Sequence, residues 1–498
     1  MKKIIISILL IFVVSGIFHS CDDFLEENPV DRYVVGNFYS SQTDAEAAVA
    51  AVYQQLYSIY ERYIFLLNAL PADDEKNGLG MPNQYLQNLE YLRHTSENQF
   101  VRQMWQYCYE GIAKANTAIN NIPDITMDDN IKSRLIGEAK FLRALYYFNL
   151  VRFFGEVPLV LKLEGVEDAL GARTPIDQVY QQIIDDLTDA GNSLPTTYSS
   201  SNTGRATKGA AKILLGKVYL TKHDYANSVS KLAEVVENEA TYGYGLHDYY
   251  GDNWEKATEN GKEMVFSIEF MDPPGRGNSA MTLQGPKYSL PNSFAPLGLN
   301  NSNEADIPTI DLYSQFEDAD ERKAETFRTD FVSLIDGSVH TSSIPIFVKY
   351  WEEGEAITGN SDCNMHIIRY ADALLMYAEA LNEVGQTAAA HSYLNRVRER
   401  AFNSTDHDYN GLSQEEFRTV VWQERRLELA MEGHRWFDLV RTGRFIQRMK
   451  DHSAFEASVA ESNKTEIAQN IKDYMVLMPI PQRELDLNSE LTQNDGWR

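Results

Sequence analysis

The sequence predicts a mainly α-helical protein, in which helical hairpins form a scaffold that carries a long irregular region and a few short strands. Two observations predict this fold. Small and apolar residues recur at the same offsets in two helical pairs, and a glycine- and proline-rich composition replaces the helical periodicity between them. The 498 residues exceed what one simple core needs, and 43% hydrophobic with 23% charged residues is a globular composition.

Three amphipathic segments precede the first pair. Asp44 to Tyr60 gathers alanine, valine and leucine on one face, with Asp44 near its N-cap. Gln99 to Asn121 and Ile131 to Phe154 have the same periodicity, and Pro123 separates them. The sequence therefore predicts three long helices, the last of which ends at Gly155.

The two helical pairs share one spacing of small residues. Gly216 is followed 12 residues later by Ser228, and Ala378 is followed at the same offset by Ala390. Small residues at these positions let two antiparallel helices approach closely, while later apolar residues fill the groove. This pattern is typical of tetratricopeptide (TPR) hairpins, which bury a face only by stacking. We expect the second pair to begin with a helix from His366 to Val384.

Between the pairs, residues 242–303 are rich in glycine, proline, tyrosine and asparagine. Met264 to Phe270 is the clearest strand candidate, and Ile344 to Trp351 is a second extended piece. A loop of this length in a compact domain is either disordered or functional, and its aromatic composition favours an ordered functional segment. The chain closes with Thr465 to Trp497, which we expect to be extended and broken by prolines.

Another irregular stretch, residues 70–92, comes earlier and is the first of the two along the chain; it begins with consecutive acids at Asp73, Asp74 and Glu75. A structural calcium ion is one interpretation of these acids. They lack the spaced ligands and the turn glycine of an EF-hand loop, so solvated or capping carboxylates are the favoured interpretation. Apart from this option, the sequence predicts no metal site and no cofactor.

The N-terminus predicts an export signal. Lys2 and Lys3 precede an apolar run from Ile4 to Phe18, which is shorter than the roughly 20 residues that span a bilayer. The segment resembles a bacterial lipoprotein signal at residues 1–20, with Cys21 as the lipid attachment site. An acidic run follows Cys21, as in the surface-export signal of Bacteroidetes lipoproteins. The alternative is an ordinary signal peptide in which Cys21 has no such role.

Charge and cysteine content exclude several classes of function. A net charge of -27 argues against nucleic acid and against a polybasic membrane contact. Besides Cys21, only Cys108 and Cys363 remain, which is too few for a disulfide framework. The sequence has no C-x-x-C, H-E-x-x-H, P-loop or G-x-G-x-x-G motif, so zinc and nucleotide sites have no sequence support.

Glu424 to Arg444 combines dense charge with large apolar residues. Glu424, Glu428 and Glu432 recur every four residues and would form one row on a helix. The favoured interpretation is a buried ion-pair network in which neighbouring arginines fold back onto this row. Those arginines are Arg425, Arg426, Arg435 and Arg441. The alternative is an acid/base cluster of Glu432, His434 and Asp438, which no nucleophile or metal-ligand spacing accompanies.

Six segments together resemble the SusD/RagB family of outer-membrane lipoproteins. They are CDDFLEENP after the signal, FLRALYYFNLVRFFGEVPLV, ATKGAAKILLGKVYL, IIRYADALLMYAEALNEVG, ERRLELAMEGHRWFDLVRTGR and MPIPQRELDLNSELTQNDGW. Each is a weak signal alone, but their order along the chain makes the resemblance specific, and it covers nearly the whole chain.

The resemblance implies a SusD-like fold of TPR pairs under an irregular ligand-binding part. After a tether at 21–43, it implies one domain at 44–498 with three parts. These are an N-terminal helical part at 44–240, an irregular excursion at 241–365, and a C-terminal TPR and closing part at 366–498.

The resemblance also implies a function without catalysis and without catalytic residues. The expected protein is lipid-anchored in the outer membrane and exposed at the cell surface. It captures an oligo- or polysaccharide and delivers it to a SusC-like TonB-dependent transporter. A peptide-binding or protein-binding TPR lipoprotein of RagB type is the alternative, and a secreted glycoside hydrolase is a third option.

Sugar rings pack on aromatic planes, and their hydroxyls need amide, carboxylate or guanidinium partners. The irregular stretches supply both kinds of side chain. The candidate ligand-binding residues are Asn77, Tyr85, Tyr91, Arg276, Tyr288, Asn292 and Phe294. Trp254 and Trp351 are further candidates. For each of these residues, packing on the residue's own scaffold is the competing interpretation.

Overall fold

A computed structural model describes the chain from Phe38 onward, with gaps. The described residues are 38–61, 63–78, 83–162, 168, 170–271, 277–286, 304–333, 335–351, 361–459 and 466–497. The signal, Cys21 and most of the tether therefore lie outside the described residues. None of the helices in the described ranges combines the length and the apolar character needed to cross a membrane.

The fold is predominantly helical, as predicted. The helices of the first half are α1 (Gln42–Tyr60), α2 (Tyr63–Ala69), α3 (Gln84–Glu90), α4 (Gln99–Asn121), α5 (Asp129–Phe154), α6 (Ile176–Ser193), α7 (Lys208–Thr221), α8 (Tyr225–Val236) and α9 (Glu239–Tyr242). Those of the second half are α10 (Ala280–Gln284), α11 (Ile310–Tyr313), α12 (Arg322–Thr326), α13 (Tyr370–Glu383), α14 (Thr387–Phe402), α15 (Gln414–Glu428), α16 (Arg435–Arg441), α17 (Phe445–Val459), α18 (Glu466–Asn470) and α19 (Gln482–Leu487).

The helices begin where the sequence offers caps. Ser41 caps α1 in a capping box with Asp44, and Ser413 does the same for α15 with Glu416. Helix α5 ends at Gly155, whose φ of 72° stops the helix as expected.

The two TPR-like hairpins form as the small-residue spacing predicts. Helices α7 and α8 pack so closely that a Cβ on Gly216 would lie 2.6 Å from Cγ of Leu232. The Ser228 hydroxyl donates to the Gly216 carbonyl at 2.9 Å, which satisfies both groups at the contact. Helices α13 and α14 form the second hairpin, with Ala378 and Ala390 fully buried at the equivalent contact.

Six short strands form three antiparallel pairs among the described residues. They are β1 (Glu75–Lys76) with β3 (Ile307–Pro308), β2 (Met264–Ile268) with β6 (Met365–Arg369), and β4 (Phe327–Val332) with β5 (Val339–Phe347). The predicted strand at Met264 is confirmed. The predicted helix start at His366 is wrong, because Met365–Arg369 pairs with β2 and α13 begins only at Tyr370.

Two further expectations need correction. Helix α15 ends at Glu428, so Glu432 lies in the turn after it instead of on the helix that the four-residue row predicted. The closing segment is not simply extended, because it contains α18, a short 3₁₀ helix and α19. The extended piece expected at Ile344 to Trp351 is confirmed in part, because β5 ends at Phe347 and pairs with β4. One apolar core runs from Val52 to Trp497 through all of these parts.

Candidate functional site

The β1–β3 ribbon carries the first irregular stretch and joins it to the end of the second. Lys76 pairs with Ile307, and Thr309 extends the contact by donating its hydroxyl to the Asp73 carbonyl at 2.8 Å. Asn77 follows β1 directly, Tyr85 lies at the start of α3, and Tyr91 follows the end of α3. We call Asn77, Tyr85 and Tyr91 together the ligand face.

Arginines hold the base of this ribbon. The Asp73 carboxylate accepts from Arg435 at 2.7 and 2.8 Å and from Arg448 at 2.5 Å, and Asp74 accepts from Arg426 at 2.7 Å. Both carboxylates are buried, so they are neither solvated nor helix caps as the sequence suggested. The calcium interpretation also fails here, because guanidinium groups already occupy these oxygens. The described ranges contain no cluster of His, Cys, Asp or Glu suited to a metal ion.

The ligand face presents one open aromatic ring. The Tyr85 side chain is 40% exposed at the start of α3. Tyr91 is half-buried at the end of α3, and the Arg93 guanidinium lies 4.9 Å from its ring centre. The Asn77 amide donates to the Ala305 carbonyl at 2.9 Å, so part of its hydrogen-bonding capacity serves the scaffold. Of the three, Tyr85 is the most accessible.

The remaining candidates have two different outcomes. Arg276, Tyr288, Asn292 and Phe294 lie outside the described residues. Trp254 and Trp351 are described and pack on the scaffold. The Trp254 ring lies 4.7 Å from Nζ of the buried Lys349, and Trp351 lies against Phe331 at 5.5 Å.

The glutamate row of the stretch Glu424 to Arg444 is buried, as the favoured interpretation predicts. Arg322 donates to Glu424 at 2.7 Å and to Glu428 at 3.1 Å. Arg369 donates to Glu428 at 2.9 Å and to Glu432 at 2.7 and 2.8 Å. The row therefore locks α15 and the turn after it to β6 and α12.

The predicted partners of this row were wrong, however. Arg425, Arg426, Arg435 and Arg441 turn to other carboxylates. Arg441 donates to Glu379 at 2.6 and 2.8 Å and to Asp438 at 2.8 Å, while Arg425 donates to Asp372 at 2.8 Å. Helices α13, α15 and α16 are thus joined by a second, separate network.

The acid/base interpretation of Glu432, His434 and Asp438 fails on their surroundings. Burial would raise the pKa of Glu432, but Arg369 and Lys349 outweigh it and hold that pKa below its ordinary value. Burial lowers the pKa of His434 to about 3, and the Lys217 ammonium 3.1 Å from its Nδ1 adds to the effect. A permanently charged carboxylate and a permanently neutral imidazole cannot exchange a proton near neutral pH.

Two carboxyl pairs remain to be considered for a hydrolase. Burial raises the pKa of Asp306 to about 6, and burial with the neighbouring Asp306 raises the pKa of Glu75 well above its ordinary value. Both side chains are buried under the ribbon, where a substrate cannot reach them. Glu259, with a pKa raised to about 7 by burial and by Glu269, lies half-buried at the edge of β2.

Sequence reasoning missed the cations that complete these networks, namely Lys217, Arg322, Lys349 and Arg369. A sequence signal was present at Lys217, because a lysine inside the apolar run AAKILLGKVYL needs a buried partner if that face packs. Its partner is Asp372 at 2.9 Å, which sits in a similar apolar run.

Comparison with known proteins identifies the family. The model of the SusD family matches residues 340–497, and a model described as starch-binding associating with outer membrane matches residues 23–220. A SusD-like protein P2 of Formosa agariphila is 30% identical over 95% of this chain and 96% of its own length. A second protein of that organism, SusD-like protein P25, is 28% identical over 98% of both chains.

A solved structure agrees in fold. The laminarin binding SusD-like protein superposes with a TM-score of 0.76 and 29% identity, covering 92% of this chain and 100% of its own. The chain belongs to the SusD family.

Proposed function

We propose that this protein is a surface glycan-binding lipoprotein, which captures an oligo- or polysaccharide without cleaving it and delivers it to a SusC-like TonB-dependent transporter. The observation that carries the proposal is the exposed Tyr85 ring on the ligand face. The family supports it, because a relative of the same fold is described as laminarin binding.

The chemistry of the ligand face suits a sugar. An exposed tyrosine offers an apolar plane for the C–H face of a pyranose and a hydroxyl for hydrogen bonding. Tyr85 and Tyr91 stand at the two ends of one short helix, and Tyr85 is the ring on which we expect a sugar to stack. Arg276, Tyr288, Asn292 and Phe294 remain the proposed partners from the second irregular stretch.

The networks under the face supply rigidity. Asp73 and Asp74, immediately before the ribbon, are each held by arginines from α15 to α17. Binding to a face that is already ordered avoids the entropic cost of fixing loops and side chains. We therefore expect the ligand to contact the irregular side and the charge clusters to act only as its support.

Affinity electrophoresis against a polysaccharide panel tests the proposal. The panel contains laminarin, starch and xylan, and the variant is Tyr85→Ala. We expect slower migration of the unmodified protein in at least one gel and a loss of about fivefold in affinity for Tyr85→Ala, because one sugar–aromatic contact is worth about 1 kcal/mol. Tyr219→Ala, on α7, is the matched control. Equal binding by both variants would contradict the assignment of the ligand face.

The absence of catalysis is tested separately. Incubation with each retained polysaccharide should release no reducing ends. Release that disappears in Glu259→Gln would instead favour a hydrolase, since Glu259 is a half-buried carboxyl with a pKa raised to about 7.

The partner and the anchor belong to the same proposal. We expect the protein to copurify with a TonB-dependent transporter from outer membranes and to carry its lipid on Cys21. Recovery of the lipidated protein always free of any transporter, after mild detergent extraction, would contradict the delivery role.

A second candidate function is peptide binding. It is favoured by an apolar cavity of about 390 Å³, which lies between helix α4, helix α19 and the segment that follows α5. Its lining includes Trp105, Tyr109, Leu170 and Leu487. Calorimetry with a mixture of apolar peptides tests it. Binding that Leu487→Ala abolishes and Tyr85→Ala leaves intact would make peptide the ligand class.

A further inference from the structure

A separate cleft lies beside the first hairpin. It consists of two adjoining cavities of about 260 and 270 Å³, which share Thr203, Gly204, Arg205 and Ser267 in their walls. Together they approach the size of small-molecule sites, roughly 300–1,000 Å³. None of the ligand-face residues lines either cavity, so the cleft is distinct from the site of the proposed function.

Hydrogen bonds within the protein occupy the charged groups of the cleft. Arg205 donates to the buried Glu138 at 2.7 Å. The Glu269 carboxylate accepts from the neutral donors Ser267 at 2.7 Å and Asn260 and Asn364 at 2.8 Å, so it keeps its negative charge. That charge repels an anion and Arg205 is already paired, so the cleft suits a neutral ligand rather than a phosphate. The described residues gather no set of metal ligands here.

Aromatic rings form part of both cavities. The rings of Tyr242 and Tyr244 are parallel within 6° at a centroid distance of 6.2 Å, and they belong to the first cavity. Tyr53 and Tyr57 from α1 belong to the second. Tyr242 is buried, and Tyr244 also stacks on Tyr370 at 5.9 Å, so these two rings add apolar wall to the first cavity rather than an open face. The half-buried Tyr53 and Tyr57 rings offer the apolar surface against which the C–H face of a sugar ring packs.

Short polar side chains complete the lining and reach the solvent. Thr197, Thr203 and Asn260 are exposed at the opening, and Thr196 and Asn202 lie between them and the floor. Hydroxyl and amide groups both donate and accept, as a polyol requires. An apolar ligand would leave these groups unpaired, which argues against a lipid or an apolar peptide.

We propose that this cleft is a second binding site and takes a neutral saccharide unit. The cleft adjoins β2, which lies within the second irregular stretch. A glycan chain long enough to reach from the ligand face would place a further sugar unit in the cleft. Two weak sites on one chain raise the overall affinity for a polymer without any new contact at either site.

Blocking the cleft is the direct test. Thr203 is exposed and belongs to both cavities, so Thr203→Trp fills the opening without disturbing a buried contact. Thr197→Trp places the bulky ring on a different wall of the first cavity. It is the alternative blocking variant if Thr203→Trp does not fold. Thr405→Trp, at an exposed loop threonine that lines neither cavity, is the matched control.

Saturation-transfer NMR on the full chain reports binding of glucose, laminarihexaose, maltoheptaose and the anionic glucuronate. We expect a neutral probe to bind the unmodified protein and Thr405→Trp, with a loss of about tenfold in affinity for Thr203→Trp or Thr197→Trp. Unchanged binding by the folded Thr203→Trp and Thr197→Trp variants would overturn the assignment of the cleft as a saccharide site. Tighter binding of glucuronate than of glucose, or no signal from any neutral probe, would overturn it as well.

Tyr85→Ala separates this proposal from the proposed function. A loss confined to Tyr85→Ala supports the ligand face and overturns the cleft as a sugar site. A loss in the cleft variants with Tyr85→Ala unchanged supports the cleft and contradicts the ligand face.

Discussion

Replacing Arg369 with methionine tests the view that the buried charges are structural. The Arg369 side chain is fully buried and donates to Glu263, Glu428 and Glu432 at 2.6 to 2.9 Å, and to the Glu428 carbonyl at 3.0 Å. Methionine retains much of the volume and removes the charge. The variant leaves three buried carboxylates with one cation fewer.

The magnitude follows from what remains. Removing one partner of a buried ion pair costs about 3–5 kcal/mol. After the substitution, Arg400 still pairs with Glu263 at 3.1 Å and with Glu428 at 2.6 Å, and Lys349 still pairs with Glu432 at 2.7 Å. Each carboxylate therefore retains at least one cationic partner. We therefore expect Arg369→Met to lower the free energy of unfolding by about 4 kcal/mol. With an unfolding entropy of about 2.1 cal/mol/K per residue, a cooperative chain of 498 residues would lose about 4 °C in Tm.

Scanning calorimetry at neutral pH measures the shift, and a partly exposed pair provides the control. Arg418 donates to Glu383 at 2.7 and 2.8 Å, but its side chain is 30% exposed. Arg418→Met should cost no more than about 1 kcal/mol, because solvent screens the pair. Equal shifts for Arg369→Met and Arg418→Met would refute the reasoning.

The pH dependence provides a second discriminating result. In the unmodified protein, burial would raise the pKa of Glu428, but Arg400, Arg369 and Arg322 outweigh it and lower the pKa to about 2. Its contribution to stability is thus present above the unfolded pKa of about 4.5 and is lost as pH falls. Without Arg369 the folded pKa values rise, so mild acidification should narrow the gap in Tm between variant and parent. A gap that is independent of pH would contradict this account.

Three further predictions concern packing, titration and the anchor. Gly216→Ala should cost about 1–3 kcal/mol because its Cβ would lie 2.6 Å from Cγ of Leu232, whereas Gly191→Ala, with the nearest atom 3.8 Å away, should be neutral or stabilising by thermal unfolding. The pKa of Glu259 is raised to about 7 in the folded protein, so the free energy of unfolding falls as pH rises from 4.5 to 7. Glu259→Gln should therefore raise the free energy of unfolding by about 1 kcal/mol at pH 8, a value discounted for partial exposure, and leave it unchanged at pH 4. Cys21→Ala should abolish lipid labelling and membrane attachment, and continued labelling would contradict the anchor.

Local signals determined how much of the fold could be predicted. The hairpins follow from small residues 12 positions apart, because that spacing acts within one supersecondary unit. The strand Met365–Arg369 could not be separated from the helix after it, since both form one apolar run. Only pairing with β2, about 100 residues earlier, decides the boundary.

The long separation along the chain between interacting residues also limits prediction of the site. The glutamate row was visible as a four-residue period, but its cations were not, because Arg322 is 102 positions from Glu424. The nearer arginines were the reasonable expectation from the sequence alone. They point from the other side of α15 and α16, toward Asp73, Glu379 and Asp438. The aromatic composition of its loop identified Tyr85 as a candidate. Its exposure could be seen only in the structure, because the β1–β3 ribbon and α3 determine where the ring lies.

The separation of charges from the ligand face argues for capture rather than catalysis. An acid/base site needs titratable groups near the working pH that a substrate can reach. Glu259 is one half-buried carboxyl of this kind, and the reducing-end assay tests it. Carboxylates such as Glu432 are held ionised by arginines in the interior, and the Tyr85 ring is open to solvent without such a group described beside it. Burying the ion pairs gives rigidity at the expense of reactivity, because a carboxylate paired in this way does not take up a proton near neutral pH. A rigid frame with an exposed aromatic surface is suited to holding a ligand and passing it on unchanged.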